Sequence, residues 1–247
     1  MTKRLSFLVC GAQKSGTTAL AAYLRQHPGI YLPETKELHF FDDEKQTWPQ
    51  PNLNKLNQHF LSANPDQLWG EATPISMYWD PAAERIWRYN QAMRLIVILR
   101  NPIERAYSHW AMEHGRGEDP LPFCLALEQE EARCRESLPL QHRVFSYVDR
   151  GFYSAQLRRL WRFFGKEQVL VLRQEDLRRC PQTCLERIWR HLSIAQGPDI
   201  TPLERHNGDY NSPMTPACRE RLRHIFWQEI GQLEQLLGWD CSDWLRS

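Results

Sequence analysis

The stretch LSFLVCGAQKSGTTALAAYLRQHPGIYLPETKELHFF, residues 5–41, carries the strongest structural signal in the chain. It opens with a continuous apolar run over residues 5–10, typical of a strand buried on both faces. A loop bounded by glycines follows at residues 11–18, and a helical pattern covers residues 19–26. Strand, loop and helix in this order turn backbone N–H groups and a helix N-terminus toward an anion. The stretch therefore predicts a phosphate-binding loop.

The loop differs from a Walker A motif in the position of its lysine. That motif places the lysine directly after its second glycine. Here Gly11 and Gly16 have the matching spacing, but Thr17 follows Gly16 and the lysine is Lys14. An ordinary strand–turn–helix corner with an incidental lysine is the alternative. The candidate phosphate ligands are the residues that can offer a cation, a backbone N–H or a hydroxyl: Lys14, Ser15, Gly16, Thr17 and Thr18.

Alternating strand and helix patterns fill the rest of the chain. Short apolar runs predict further strands at residues 30–32, 67–71, 94–99 and 168–172. Helical patterns lie between and after them, at about residues 53–61, 81–89, 102–113, 123–136, 154–165, 181–192 and 216–238. Asp80 and Asn101 are the expected N-caps of two of these helices, and Gly238 the expected C-cap of the last.

This alternation predicts the α/β class. We expect a single P-loop-like domain over residues 1–247, with a central, mostly parallel sheet of about five strands and helices on both faces. In such sheets, ligands bind beyond the carboxyl ends of the strands.

Arg100 and Ser108 form a second candidate phosphate site. Arg100 directly follows the apolar run 94–99, at the sheet edge where a ligand is expected. Ser108 lies about two turns into the next helix. A guanidinium and a hydroxyl at these positions could hold one phosphate together. The alternative is a surface cation and an ordinary helix residue.

Composition and charge narrow the functional classes. With 25% charged residues and a formal net charge of +1, the chain of 247 residues is not expected to bind nucleic acid through its overall charge.

No signal peptide or run long enough to span a membrane is visible, which predicts a cytoplasmic protein. Seven cysteines without a C-x-x-C pair are expected to be reduced thiols. The spacing of His109 and His114, and the absence of H-E-x-x-H, predict no metal site.

Several blocks of the sequence resemble the sulfotransferases that use 3′-phosphoadenosine-5′-phosphosulfate (PAPS). The resemblance is strongest to the heparan-sulfate sulfotransferase branch and its bacterial relatives. The matching blocks are QKSGTTAL at residues 13–20, KELHFF at 36–41, RLIVILRNPIERAYSHW at 94–110, GFY at 151–153, the strand 169–172, and LLG at 236–238 with Trp244. The similarity covers most of the chain and is weakest at residues 42–66 and 115–147.

The resemblance implies a reaction and a role for the donor loop. PAPS would be the co-substrate and PAP the product, with no metal. The loop would hold the 5′-phosphosulfate, and Lys14 would stabilise charge on the leaving phosphate oxygen. Glu37 would be the general base that takes the proton of the acceptor hydroxyl. His39 would be a backup base or a hydrogen-bond partner.

The other half of the donor is assigned in the same way. Arg100 and Ser108 would hold the 3′-phosphate, and Arg205, in the segment 204–210, would add a second contact to it. Tyr153 would face the nucleotide or the acceptor, although a tyrosine of the core is an equally good interpretation.

The chain departs from these relatives in two places, and other functions stay open. Sugar O-sulfotransferases often carry a lysine where Ala72 stands. Their disulfide-containing C-terminal hairpin is not recognisable in this sequence.

A P-loop kinase and a non-catalytic nucleotide-binding protein are the alternative functions. The acceptor could be a glycan, a lipid hydroxyl, a phenol or another small molecule. Neither O- versus N-sulfation nor the oligomeric state follows from the sequence.

Overall fold

The computed structural model describes residues 3–201 and 213–246. Within them the chain packs as two compact units, and each unit is made of two separate stretches of the chain. The first unit contains residues 3–99 and 159–201, and the second contains residues 100–158 and 213–246. One domain over residues 1–247 stays a prediction.

The first unit contains the sheet. Across the described residues, five strands form one sheet in the order β2-β3-β1-β4-β5, and every pairing is parallel. The strands are β1 (Phe7–Gly11), β2 (Ile30–Tyr31), β3 (Leu68–Ala72), β4 (Arg94–Leu99) and β5 (Val169–Arg173). The predicted α/β class and the parallel sheet are confirmed, and each predicted apolar run supplies one strand.

Strand β1 lies at the centre of the sheet, and all its residues are buried. Phe7 stands opposite Gly70 of β3 on one side and opposite Arg94 of β4 on the other. Burial on both faces explains why the run is uninterrupted rather than alternating. Because neighbouring parallel strands end at the same edge, the segments that follow β1 and β3 leave the sheet side by side.

Helices flank the sheet and make up most of the second unit. They are α1 (Thr17–Leu24), α2 (Asn54–Asn57), α3 (Ala82–Tyr89), α4 (Pro102–Gly115), α5 (Phe123–Arg135), α6 (Tyr153–Phe163), α7 (Gln174–Arg179), α8 (Pro181–Leu192), α9 (Pro216–Leu237) and α10 (Ser242–Arg246). The sequence patterns did not predict α7 and α10, because both are too short to show a helical period. None of the described helices combines the length and apolarity that crossing a membrane requires.

Two of the three expected helix caps are confirmed. The Asn101 side chain accepts a hydrogen bond from the Ile103 N–H at 3.0 Å, and Gly238 ends α9 with a left-handed φ of 66°. The third expectation was wrong, because α3 begins at Ala82 with Pro81 at its N-cap position. Asp80 instead forms an ion pair with Arg159, which keeps its carboxylate away from the helix end.

The expectation of seven reduced thiols was also wrong. Cys124 at the start of α5 and Cys218 in the first turn of α9 form a disulfide, with their Cα atoms 5.8 Å apart. That separation is common for bonded cysteines. The two residues are 94 positions apart in sequence, so no local spacing pattern could indicate the pairing. Disulfides are more usual in oxidising compartments, and the cytoplasmic location stays a prediction.

Gly70 offers a direct test of the packing around β1. A Cβ atom placed on Gly70 would lie 2.0 Å from Cζ of Phe7, whose ring is fully buried. We expect Gly70→Ala to lower the free energy of unfolding by about 1–3 kcal/mol, because an overpacked core must shift. Urea denaturation followed by tryptophan fluorescence measures the change.

Gly231→Ala is the matched control, since a Cβ there meets nothing within 4 Å. Inside helix α9 this variant should be stabilised by about 0.5–1 kcal/mol, through the higher helix propensity of alanine. A Gly70→Ala protein as stable as the wild type would contradict the described contact with Phe7.

Candidate active site

The loop between β1 and α1 holds an unusual backbone conformation. Its Ala12 N–H donates to the Ile98 carbonyl at 2.8 Å, which ties the loop to β4. Two of its residues are left-handed, Lys14 with φ 67° and Gly16 with φ 93°. Glycine adopts this region freely, but a lysine does so at a cost. A strained residue in such a loop is typical of functional sites.

The loop also contains a buried hydroxyl and the start of a helix. The Ser15 hydroxyl is fully buried, and no hydrogen-bond partner for it exists within the described part of the chain. Thr17, the first residue of α1, is buried as well, whereas Thr18 is exposed. Gly16 provides no side-chain cap to the helix. The first N–H groups of α1 are therefore available to an anion, and a bound phosphate would also satisfy Ser15.

Gln174 is a neighbour of the loop that the sequence analysis missed. It is buried, and it starts α7 directly after β5. A Cβ atom on Gly16 would lie 3.3 Å from its Nε2 atom, so its amide packs against the loop. The one available signal was its position at the carboxyl end of a buried strand.

A second cluster lies in the turn at residues 37–42, where His39 stands between two carboxylates. Its Nδ1 is 2.8 Å from Oδ2 of the buried Asp42, and its Nε2 is 3.7 Å from Oε2 of Glu37. An ionised carboxylate only accepts hydrogen bonds, so Nδ1 carries the hydrogen. In the neutral imidazole, Nε2 then faces Glu37 with its lone pair. Asp42 was not predicted from the sequence, although its i,i+3 spacing from His39 is compatible with this contact.

Glu37 and His39 reach this arrangement through strained backbone. Their φ values are 63° and 51°, in the left-handed region that side chains other than glycine rarely adopt. The Glu37 side chain is about one-third exposed, and the Lys36 ammonium contacts its Oε1 atom. The structure thus brings two of the three predicted catalytic residues, Glu37 and His39, together, with a carboxylate that solvent or a substrate can reach.

Glu71, at the end of β3, lies beneath this turn. Burial raises the pKa of its carboxyl to about 7, although hydrogen bonds from the Thr73 hydroxyl and the Leu38 N–H act in the opposite direction. The Asp42 charge raises this pKa further, and His39 lowers it. Near neutral pH the protein therefore holds a buried, half-ionised acid next to the turn.

The second unit contains the predicted 3′-phosphate residues. Arg100 lies 3.9 Å from Oε2 of Glu104, one turn into α4, and Arg219 of α9 binds the other oxygen of the same carboxylate at 2.7 Å. Ser108 is buried on α4. Arg219 was not predicted, since only the packing of α9 on α4 brings it beside Glu104. Within this unit, two guanidinium groups thus share one carboxylate near the start of α4.

Tyr153 belongs to the core of the second unit. Its side chain is fully buried, and its hydroxyl donates to the Arg100 carbonyl at 3.0 Å. This contact fixes the backbone of Arg100. A direct contact of Tyr153 with the nucleotide or the acceptor stays a prediction.

The predicted site residues are distributed over both units. The five loop residues, Glu37 and His39 lie in the first unit, whereas Arg100, Ser108 and Tyr153 lie in the second. Arg205 lies outside the described residues. Among residues 3–201 and 213–246, no group of three or more His, Cys, Asp or Glu side chains could hold a metal ion.

Comparison with known proteins identifies the family. Residues 5–206 match the sulfotransferase domain family. The membrane-associated sulfotransferase kil1 of Dictyostelium discoideum is 33% identical over 95% of this chain. The chain therefore belongs to the sulfotransferase domain family, and the resemblance stated from the sequence is confirmed.

Other relatives extend the comparison. The human bifunctional heparan sulfate N-deacetylase/N-sulfotransferase 2 is 27% identical over 82% of the chain. This chain spans 23% of the human protein and 65% of the Dictyostelium protein. A sulfotransferase structure from Alicyclobacillus acidocaldarius is 29% identical, with a TM-score of 0.84 and coverage of 98% of this chain and 99% of that one.

A more distant structure shares the fold alone. Mouse sulfotransferase SULT7A1, crystallised with PAP, is 15% identical and superposes with a TM-score of 0.58. The alignment covers 93% of this chain and 86% of the mouse chain.

The raised pKa of Glu71 predicts how stability depends on pH. A carboxyl whose pKa is higher in the folded than in the unfolded chain stabilises the fold at low pH and loses this contribution as pH rises through the folded value. One pKa unit corresponds to about 1.4 kcal/mol. The difference between 4.5 and about 7 therefore amounts to about 3–4 kcal/mol at most.

We expect Glu71→Gln to remove this dependence while keeping an oxygen that accepts hydrogen bonds. Between pH 5 and pH 8.5 the unfolding free energy of the wild type should fall by up to about 3 kcal/mol more than that of the variant. Denaturant titrations at several pH values measure it. Glu84→Gln, on an exposed face of α3, should follow the wild-type profile. Identical profiles for Glu71→Gln and the wild type would contradict the assignment.

Proposed function

We propose that the chain transfers the sulfuryl group of PAPS to an acceptor hydroxyl and releases PAP. One observation carries the proposal. A phosphate-type loop follows β1, and a turn bearing an accessible carboxylate is bound through the Glu37 N–H to the Ala72 carbonyl at the end of β3. These strands are neighbours in one sheet. An anion-binding group and a candidate base therefore stand at adjacent strand ends, as a group transfer requires.

The donor loop supplies the groups that would hold the 5′ end of PAPS. PAPS supplies a sulfuryl group already activated by its phosphate leaving group. Lys14 would stabilise the negative charge that develops on that phosphate, an electrostatic role typical of group transfer. The buried Ser15 hydroxyl, Gly16 and the start of α1 at Thr17 would donate to the phosphate oxygens, with Thr18 as a further donor at the loop surface.

Arg100 and Ser108 would hold the 3′-phosphate. Arginine suits this role because its planar guanidinium binds phosphate through two parallel hydrogen bonds. Tyr153 would act through the Arg100 backbone, and Arg205 would add a second cation. The mouse structure of the same fold holds PAP, which supports this class of donor.

Glu37 would be the general base. Sulfuryl transfer needs the acceptor hydroxyl to lose a proton as it attacks, and a carboxylate within reach can take that proton. In its protonated form His39 would donate from Nε2 to Glu37 and hold it in place, and the hydrogen bond from its Nδ1–H to Asp42 fixes its orientation. His39 remains the alternative base, because its Nε2 lies on the same side as the Glu37 carboxylate.

The acceptor class follows only from the relatives. A heparan sulfate N-deacetylase/N-sulfotransferase among them supports a glycan, but a lipid or another small alcohol suits the same chemistry. Transfer to oxygen rather than nitrogen, a cytoplasmic location and activity without a metal ion are further parts of this proposal.

Two other functions are less well supported. A P-loop kinase would carry its lysine after Gly16, and an acid for Mg²⁺ at the end of the strand that here leads into Arg100. A non-catalytic nucleotide-binding protein would have no need for the strained Glu37 and His39.

Transfer from ³⁵S-labelled PAPS to a panel of glycan, lipid and phenol acceptors tests the proposal. Glu37→Gln should lower kcat by about 10²–10⁴-fold, the usual contribution of a general base, and leave PAP affinity unchanged in calorimetry. Lys14→Met should weaken both transfer and PAP binding. Glu34→Gln and Lys45→Met, at exposed positions of the same unit, are the matched controls.

The same assay separates the alternatives. A sulfotransferase of this kind should keep its full rate in EDTA, whereas a kinase would lose activity and would transfer phosphate from ATP. A wild-type protein that binds no PAP would overturn the proposal. Full transfer by Glu37→Gln would remove Glu37 from the role of base.

A further inference from the structure

We propose that Glu71 is a positioning residue that holds the Glu37–His39 turn in the conformation required for catalysis. The inference rests on the proposed function, because it concerns the residues assigned there as base and partner. It goes beyond that function by giving the buried acid at the end of β3 a task of its own.

Three successive backbone N–H groups of the turn are bound to three successive residues of the chain at the end of β3. The Glu37 N–H donates to the Ala72 carbonyl at 3.1 Å. The Leu38 N–H donates to Oε1 of Glu71 at 3.1 Å. The His39 N–H donates to the Thr73 hydroxyl oxygen at 3.5 Å, and that hydroxyl donates in turn to Oε1 of Glu71.

Glu71 takes part in two of these three contacts, directly at Leu38 and through Thr73 at His39. Glu71 and Thr73 are two positions apart, so along an extended chain their side chains point to the same side. Oε1 of Glu71 binds Leu38 directly and orients the Thr73 hydroxyl that faces His39. Its removal would leave the Leu38 N–H without its acceptor and the Thr73 hydroxyl without its orientation.

The turn needs such a tether because its own backbone is unfavourable. Left-handed φ costs about 1–2 kcal/mol for each residue other than glycine, and the turn contains two such residues, Glu37 and His39. Strained conformations persist only where surrounding contacts over-determine them. Without Glu71, we expect the turn to relax toward ordinary φ values, which would carry the Glu37 carboxylate away from its place beside His39.

Glu71 is also a costly choice for a purely structural position. It is only 3% exposed, next to the apolar side chains of β1 and β3, and a buried carboxyl is expensive unless its hydrogen bonds are satisfied. An apolar residue would stabilise the sheet better.

Steady-state kinetics with PAPS and an accepted substrate test the inference. At pH 7, Glu71→Ala should lower kcat by about 10–100-fold, the scale on which a misplaced catalytic group acts, while the KM for PAPS and the affinity for PAP stay within twofold. Glu71→Gln keeps an acceptor oxygen and should recover kcat to within about threefold of the wild type. A kcat for Glu71→Ala within threefold of the wild type, or an equal loss in both variants, would overturn the inference.

Gln168→Ala is the matched control. Gln168 also accepts a backbone N–H, from Gly165, and donates to the carbonyls of Gln91 and Met93 at the amino end of the sheet. Its loss should lower stability and leave kcat unchanged. A comparable fall in kcat in this control would show that general loosening, not the turn, explains the effect of Glu71→Ala.

Amide hydrogen exchange gives a readout that is independent of activity. Peptides covering residues 36–41 should exchange at least tenfold faster in Glu71→Ala than in the wild type, Glu71→Gln and Gln168→Ala. Unchanged exchange in Glu71→Ala would overturn the inference even if no acceptor were found. A wild type that binds no PAP would refute the proposed function, and the same exchange pattern across the variants would still support the positioning role of Glu71.

Discussion

The pairing of β1 on both sides is the interaction on which the first unit depends. Because β3 and β4 both bind β1 in parallel register, three strand ends are fixed at one edge within the spacing of a sheet, about 4.8 Å per strand. The donor loop leaves from β1, and the Glu37 turn is bound to the end of β3. A phosphate-type loop and a carboxylate thus stand at neighbouring strand ends. Their relative position is set by the backbone hydrogen bonds that pair β1 with β3.

Around that rigid edge, the candidate site is built from groups that work against stability. Lys14, Glu37 and His39 all occupy left-handed backbone, and a buried serine hydroxyl in the loop has no partner in the described chain. The buried Glu71 adds a carboxyl whose burial disfavours its charged form. Such costs cluster where chemistry is done and are compensated by packing elsewhere. Here the compensation comes from the fully buried strand β1 and from the largely buried strands β3 and β4 that pair with it.

The parts of the fold that could be predicted are those whose cause is local. Burial on both faces leaves a continuous apolar run, so β1 and β4 were visible in the sequence, and a side-chain cap such as Asn101 acts within two residues. Asp42, Glu71 and Gln174 could not be assigned in the same way. Each acquires its role from a segment distant in sequence or from the shape of a turn. The Cys124–Cys218 bond is the extreme case, since 94 positions separate its halves. The Asp80 cap failed for a related reason: a distant arginine competes for its carboxylate.

The left-handed turn has a consequence for how this protein would change under artificial selection. At Glu37 and His39 glycine or asparagine would suit the backbone better than the residues present. Stabilising substitutions are easy to find in most proteins, and they tend to cost function where they relieve a strained active site. A laboratory screen for thermal tolerance alone would therefore accept substitutions at these two positions. It would return heat-resistant proteins that no longer carry the carboxylate and imidazole, so a useful screen must score chemistry together with heat resistance.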